Sequence, residues 1–230
     1  MRATPIISML AGIATLVLAM PAPADSGQPH ARARRADFGP TSASRDVRHI
    51  AHWIADSRDN GDAGFFIVDK KAARLFVFDA DARLRGSSPV LLGAAPGDHT
   101  VPGIGTRPMN QVRPEERTTP AGRFVSEQGR NLQGEDVTWV DYDSAVSLHR
   151  VRTGKPAEQR LARLATPTVT DNRISYGCIN VPVAFYEARV RPGPGNIRPA
   201  VIYVLPEGGS AQRMFGSYTV PGATNDPAGQ

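Results

Sequence analysis

The stretch Asn172-Arg173-Ile174-Ser175-Tyr176-Gly177-Cys178-Ile179-Asn180-Val181-Pro182 carries the one cysteine of this 230-residue chain. A turn signal, Gly177, leads into a short apolar run and a proline, and Val183 to Val190 then follows with helical character. Pro182 suits the first position of that helix, with Asn180 or Val181 as its cap. Cys178 is thereby expected just ahead of a helix N-terminus, where partial positive charge and free N–H groups favour a thiolate and can face an oxyanion. The gain would be large. A thiol of pKa about 8.5 is only about 3 % ionised at neutral pH, whereas a pKa of about 6.5 gives roughly three quarters. The competing reading is a buried cysteine acting as a small hydrophobe.

Working upstream, Ala145 to His149 alternates as a strand: Val146 and Leu148 point one way, while Ala145, Ser147 and His149 point the other. His149 is the nearest histidine before Cys178 and lies on an expected core strand, which makes the two a candidate base and nucleophile. A strand histidine can also serve only as a structural hydrogen bonder.

Other strands are expected at Gly64 to Asp69 and Ala73 to Asp79, a hairpin around Lys70-Lys71 with Phe66, Val68, Leu75 and Val77 as buried candidates. Further strands are expected at Pro89 to Leu92, Gly122 to Ser126, Val137 to Asp141 and Val201 to Leu205. Gly93 to Pro108 is rich in Gly and Pro, the kind of long irregular segment that forms a lid or wall of a site.

Near the N-terminus, Val47, Ile50 and Ile54 have helical spacing between a Ser42 or Ser44 start and an Asn60-Gly61 stop, so Ser44 to Ser57 is expected to form a short amphipathic helix. His49 and His52 lie near one of its faces without a carboxylate at ligand spacing, which favours surface histidines over a metal pair. Residues 25 to 41 are rich in Pro, Arg and Ala without a period and read as a linker. Ahead of them, Arg2, the apolar run Ile6 to Met20 and Pro21-Ala22-Pro23-Ala24 read as a secretory signal peptide cleaved after Ala24. An uncleaved anchor is the alternative, although 15 apolar residues are few for a span of about 20.

Composition narrows the classes. The chain has 27 Lys+Arg against 22 Asp+Glu, and the excess is not gathered into a block, so nucleic acid is not indicated as a partner. Hydrophobic residues make up 40 %, which excludes a disordered tail or a protein of many spans. A single cysteine excludes an internal disulfide, a CxxC pair and a cysteine-rich zinc site, and no metal or other cofactor is indicated. In an oxidising exported compartment an unpaired thiol is unusual, so its retention asks for burial or use.

Leu148-His149, Ser175-Tyr176-Gly177-Cys178-Ile179-Asn180 and the upstream Thr119-Pro120-Ala121-Gly122-Arg123-Phe124 together resemble the L,D-transpeptidases with a YkuD-like catalytic domain, over roughly Gly64 to Pro206. That family carries a strand histidine, a Ser-His-Gly-Cys turn followed by an apolar residue and Asn or Arg, and an upstream Thr-Pro-x-Gly segment. The resemblance implies a mainly β fold: a β-sandwich of the L,D-transpeptidase catalytic type with short helices, preceded here by the amphipathic helix. The expected division is a signal peptide at 1–24, linker and helix at 25–63, catalytic domain at 64–206 and a flexible C-terminal tail at 207–230.

By the same resemblance, Cys178 would attack the carbonyl between the L-centre of diaminopimelate and the terminal D-Ala of a peptidoglycan stem peptide. An acyl-enzyme would form with release of D-Ala, and an acceptor amine would resolve it to a 3-3 crosslink in the periplasm or cell wall. His149 would move the proton, held in place by a backbone carbonyl. N–H groups around Gly177 and Cys178, with Tyr176, would hold the oxyanion, and Ser175 and Asn180 would shape the turn. Two departures stand out: Tyr176 occupies the place of the motif histidine, and the 29 positions from His149 to Cys178 exceed the usual separation. The added stretch contains Arg152, Lys155, Arg160, Arg163 and Arg173 and would reshape the substrate entrance. Water as acceptor would make an L,D-carboxypeptidase, and loss of turnover through Tyr176 would leave a non-catalytic wall-binding protein. A papain-like peptidase has the opposite order of cysteine and histidine, and no G-x-S-x-G supports a serine hydrolase.

Overall fold

A computed structural model describes residues 33–191 and 199–223. The expected signal peptide lies outside the described residues. Among the described residues there are eleven strands: β1 Gly64–Asp69, β2 Arg74–Phe78, β3 Leu84–Pro89, β4 Leu92–Gly93, β5 Gly122–Val125, β6 Glu127–Arg130, β7 Asp136–Asp141, β8 Val146–Arg150, β9 Arg173–Ser175, β10 Ile179–Val181 and β11 Ala200–Val204. They form a five-stranded sheet of order β3-β2-β1-β11-β5, a four-stranded sheet of order β10-β8-β7-β6 and a small β4-β9 pair. The helices are α1 Arg45–Ser57, α2 Arg160–Ala165, the short α3 Val183–Phe185 and α4 Ala211–Phe215.

The central strands β1 and β11 of the five-stranded sheet are buried on both faces, which explains why β1 is an unbroken apolar run rather than an alternating one. Phe66, Val68, Leu75 and Val77 face the second sheet and pack there with Val146, Leu148, Ile179, Val181, Ile202 and Val204. This is the sandwich core. Phe65, Ile67, Phe76 and Phe78 take the opposite face and meet Val47, Ile50 and Ile54 of α1. The fold is thus mainly β, two facing sheets with short helices and an amphipathic helix ahead of them. The start of α1 follows from its sequence, since the Ser44 hydroxyl accepts from the Val47 N–H at 3.3 Å. Arg58, in the left-handed region at φ 56°, ends it.

Several elements differ from expectation. The strand expected at Pro89 to Leu92 straddles the end of β3 and the start of β4. The rest of β3, together with β6, β9 and β10, lacks the alternation or length that marks a strand in sequence. The segment read as linker is packed from Ala33 onward: Asp37 pairs with the β3 approach through Asp37 N–H to Ala82 O (2.9 Å) and Leu84 N–H to Asp37 O (2.8 Å). Ala36 and Phe38 flank Asp37 and are buried in the core. The described part of the 207–230 segment is packed as well. Ala211 and Val220 are buried, the Phe215 ring meets Tyr203 edge-on, and the Tyr218 hydroxyl donates to Asp56 at 2.8 Å. Two or three apolar side chains suffice to dock such segments, too few to register as a period. His52 is buried rather than a surface residue, its Nδ1 accepting from the Ala36 N–H at 3.1 Å, while His49 meets Ser217.

The Gly93 to Pro108 segment is pinned by an ammonium. Lys70, fully buried, donates to Gly97 O at 2.5 Å, Asp98 Oδ1 at 2.8 Å and Thr119 O at 2.9 Å. Burial pushes its pKa down, and Asp98 opposes that shift. Glu207 accepts from the Gly97 N–H at 2.7 Å and pairs with Arg173. Two cations and two carboxylates therefore compensate one another beneath the segment that leads to the cysteine turn.

Candidate active site

Cys178 lies at the mouth of β10, immediately after a turn closed by Ser175. The Ser175 hydroxyl donates to Cys178 O at 2.6 Å and accepts from the Gly177 N–H at 3.1 Å. Gly177 has φ 131°, and a Cβ there would stand 2.9 Å from Thr118 O. The backbone can make this approach only without a side chain. Thr119, from the Thr-Pro-Ala-Gly segment, then braces the turn: its hydroxyl donates to Gly177 O at 2.8 Å and accepts from the Gly93 N–H at 2.9 Å. Gly177→Ala is expected to cost about 1 to 3 kcal/mol of stability and to raise the apparent thiol pKa, read by thermal melting and by alkylation against pH. Gly154→Ala, where an added Cβ meets nothing within 4 Å, is the control expected to change neither.

His149 reaches the thiol through strand pairing. β8 and β10 run parallel with Asn180 opposite His149, and a parallel pair puts opposed residues on one face. Ser147, two residues before His149, shares that face and places its hydroxyl 3.6 Å from Cys178 Sγ, while Val146 and Leu148 point into the core. A carbonyl can only accept, so the contact of 2.7 Å between His149 Nδ1 and Arg150 O puts the imidazole proton on Nδ1. This leaves the Nε2 lone pair toward Asn180 Nδ2, at 3.3 Å. The orienting group is thus a backbone carbonyl, as expected from the sequence.

The half-buried Cys178 thiol feels opposing influences. Burial pushes it up, but the hydrogen bond and charge of His149 and the N–H and hydroxyl of Ser147 outweigh this and bring it down to about 7. These groups replace the expected helix dipole. Three strand residues, Ile179–Val181, separate Cys178 from the helix, Pro182 is the cap rather than the first helical residue, and only Val183–Phe185 is α-helical before a π turn at Tyr186–Val190. Ile179 and Val181 are fully buried, and that burial claims the segment for the sheet.

Tyr176 is half-buried, with the Arg117 guanidinium 4.1 Å above its ring. The structure therefore brings Cys178, His149, Asn180, Ser175 and Gly177 into one hydrogen-bonded group, with Tyr176 on the same turn. Sequence reasoning left out the parts played by Ser147, Thr119 and Arg160. Ser147 alone had a local signal, the two-residue period that sets it beside His149.

No family model matches the chain, and no curated protein matches it. Solved structures similar to it include an L,D-transpeptidase in complex with imipenem, at 16 % identity and TM-score 0.36 over 63 % of this chain and 60 % of that one. An L,D-transpeptidase from Xylanimonas cellulosilytica gives 12 % and 0.38 over 64 % and 62 %. The catalytic domain of an Enterococcus faecium L,D-transpeptidase gives 15 % and 0.34 over 63 % and 98 %. The chain spans about three fifths of the length of the first two.

Proposed function

We propose that the chain is an exported cysteine transpeptidase of peptidoglycan stem peptides. The observation that carries this reading is the Cys178–His149 pair: a thiol brought to about 7, beside an imidazole whose Nδ1–H is fixed by Arg150 O so that Nε2 accepts. At neutral pH roughly half the thiol would be ionised, which suits a nucleophile for acyl transfer.

In this proposal Cys178 Sγ attacks the carbonyl carbon before the terminal D-Ala, the C–N bond breaks, and His149 returns the proton to the departing amine. The acceptor amine then attacks the thioester, His149 takes its proton, and the thiol is regenerated. The Gly177 N–H is already engaged by Ser175, so the Cys178 N–H and the Tyr176 hydroxyl are the groups proposed to face the oxyanion. The 1–24 segment would direct export, and the 64–206 region would carry the chemistry.

Mass spectrometry after incubation with tetrapeptide muropeptides tests the activity and its acceptor together. The expected products are free D-Ala and a 3-3 linked dimer; a tripeptide alone would identify water as acceptor, a carboxypeptidase. A carbapenem is expected to give a covalent adduct that vanishes in Cys178→Ala. Neither turnover nor adduct from folded protein would leave the non-catalytic wall-binding reading.

A further inference from the structure

The crossover between β8 and β10 brings a guanidinium into contact with the site. Arg160, at the start of α2, donates to Asn180 Oδ1 at 2.6 Å. Its own position is set by Glu158, which it meets at 2.5 Å, and Glu158 is held in turn by Lys155 at 3.7 Å. Arg163 closes the same turn by donating to Glu158 O at 2.7 Å and to Asp171 O at 2.6 Å.

An arginine can only donate, so the Asn180 atom it meets is the amide oxygen. The NH2 group is then directed at His149 Nε2 and Cys178 O, each at 3.3 Å. Asn180 is fully buried. Without Arg160, only the 3.3 Å contacts of its NH2 group with Cys178 O and His149 Nε2 would oppose a turn of the amide that presents oxygen to the imidazole.

We propose that Arg160 is a positioning residue: by holding Asn180 Oδ1 it keeps an amide donor facing His149 Nε2, so that the imidazole rests as a proton acceptor. The physical reason is the sign of the hydrogen bond. A donor facing Nε2 stabilises the neutral ring and opposes the imidazolium, whereas an amide oxygen would stabilise it. The resting pair is thereby biased toward thiol and neutral imidazole. Among the described residues, Glu135 also acts by its charge on His149, and it is paired with Arg152. Cys178 is the titrating partner, and Arg117 lies over Tyr176 on the turn.

This inference rests on the reading of Cys178 and His149 as a nucleophile and base, and its test does not use peptidoglycan. Iodoacetamide alkylation of Cys178 is followed against pH in the folded full-length protein. Arg160→Leu is expected to move the midpoint acid-ward by about half a pH unit, roughly threefold more alkylation at pH 6. Arg160→Lys, which can still donate to Oδ1, is expected to restore the midpoint. In an Asn180→Ala background the Arg160→Leu shift is expected to vanish, which a merely structural role would not produce.

An unmoved midpoint in folded Arg160→Leu overturns the inference. A basic shift also overturns it, since it would show the guanidinium acting by its charge on the thiolate. If Arg160→Leu does not fold, Glu158→Gln, which loosens the arginine, replaces it with the same expectation. A profile indifferent to His149→Gln would instead defeat the nucleophile reading itself.

Discussion

His149→Gln is expected to remove nearly all of the thiolate at neutral pH. Burial, the largest influence on Cys178, pushes the thiol up and is untouched by the substitution. What disappears is the hydrogen bond and charge of His149, leaving only Ser147 to oppose burial. The thiol then moves back toward the ordinary value of about 8.5, where the ionised fraction at pH 7 is about 3 % against about one half, roughly fifteen-fold less. The midpoint of alkylation against pH is the proper measure, because a less acidic thiolate is intrinsically more nucleophilic and partly masks the loss in a single rate. In the proposed reaction, D-Ala release should fall further, by about 10² to 10⁴, since His149 would also deliver the proton to the leaving amine. The wild-type profile is expected to rise with pH through about 7. A midpoint unchanged in His149→Gln would mean that Ser147 alone sets the thiol and would defeat the reading of Cys178 and His149 as nucleophile and base.

Lys70→Met should unfold the protein more readily by about 3 to 5 kcal/mol, a fall in Tm of the order of 10 °C. The side chain is fully buried, and its loss strands the carbonyls of Gly97 and Thr119 and takes the balancing cation from Asp98. Asp98 would keep its bonds from the Glu207 and Gly208 N–H groups, at 2.7 and 2.9 Å, and so would remain charged in a partly closed site. Thr119 is also the brace of Gly177, so the thiol midpoint should move with the stability. The neighbouring Lys71 supplies the comparison. It is exposed and sits 3.9 Å from Asp46, a pair of the kind worth less than about 1 kcal/mol. Equal losses from Lys70→Met and Lys71→Met would refute the account.

The same two lysines show where the sequence stops being legible. Adjacent and identical, they read together as a polar turn, yet one points into the protein and contacts residues 27 to 49 positions away. No local pattern carries that information. The strands that can be read, β1, β2, β5, β7, β8 and β11, are those whose apolar or β-branched side chains mark the segment itself. The Cys178 turn is legible because Gly177 and the lone cysteine are local signals, and His149 because the strand period isolates it. The electrostatic origin of the thiol's acidity is not, since the short β10 looks like a helix approach until its parallel pairing with β8 is seen. Arg160 was visible only as one of several arginines in an added stretch.

The parallel pairing of β8 with β10 has one more consequence. Parallel strands cannot be joined by a tight hairpin, so the chain must leave the sheet and return whatever the length of the detour. The alignment of His149 with Cys178 is set by the ladder, not by the residues between them. Gly154 stands in that detour with open space around it, and lengthening a flexible loop adds little entropy cost, about 0.6 kcal/mol per doubling. The detour can therefore be rebuilt, by drift or by engineering, while His149 and Cys178 keep their spacing.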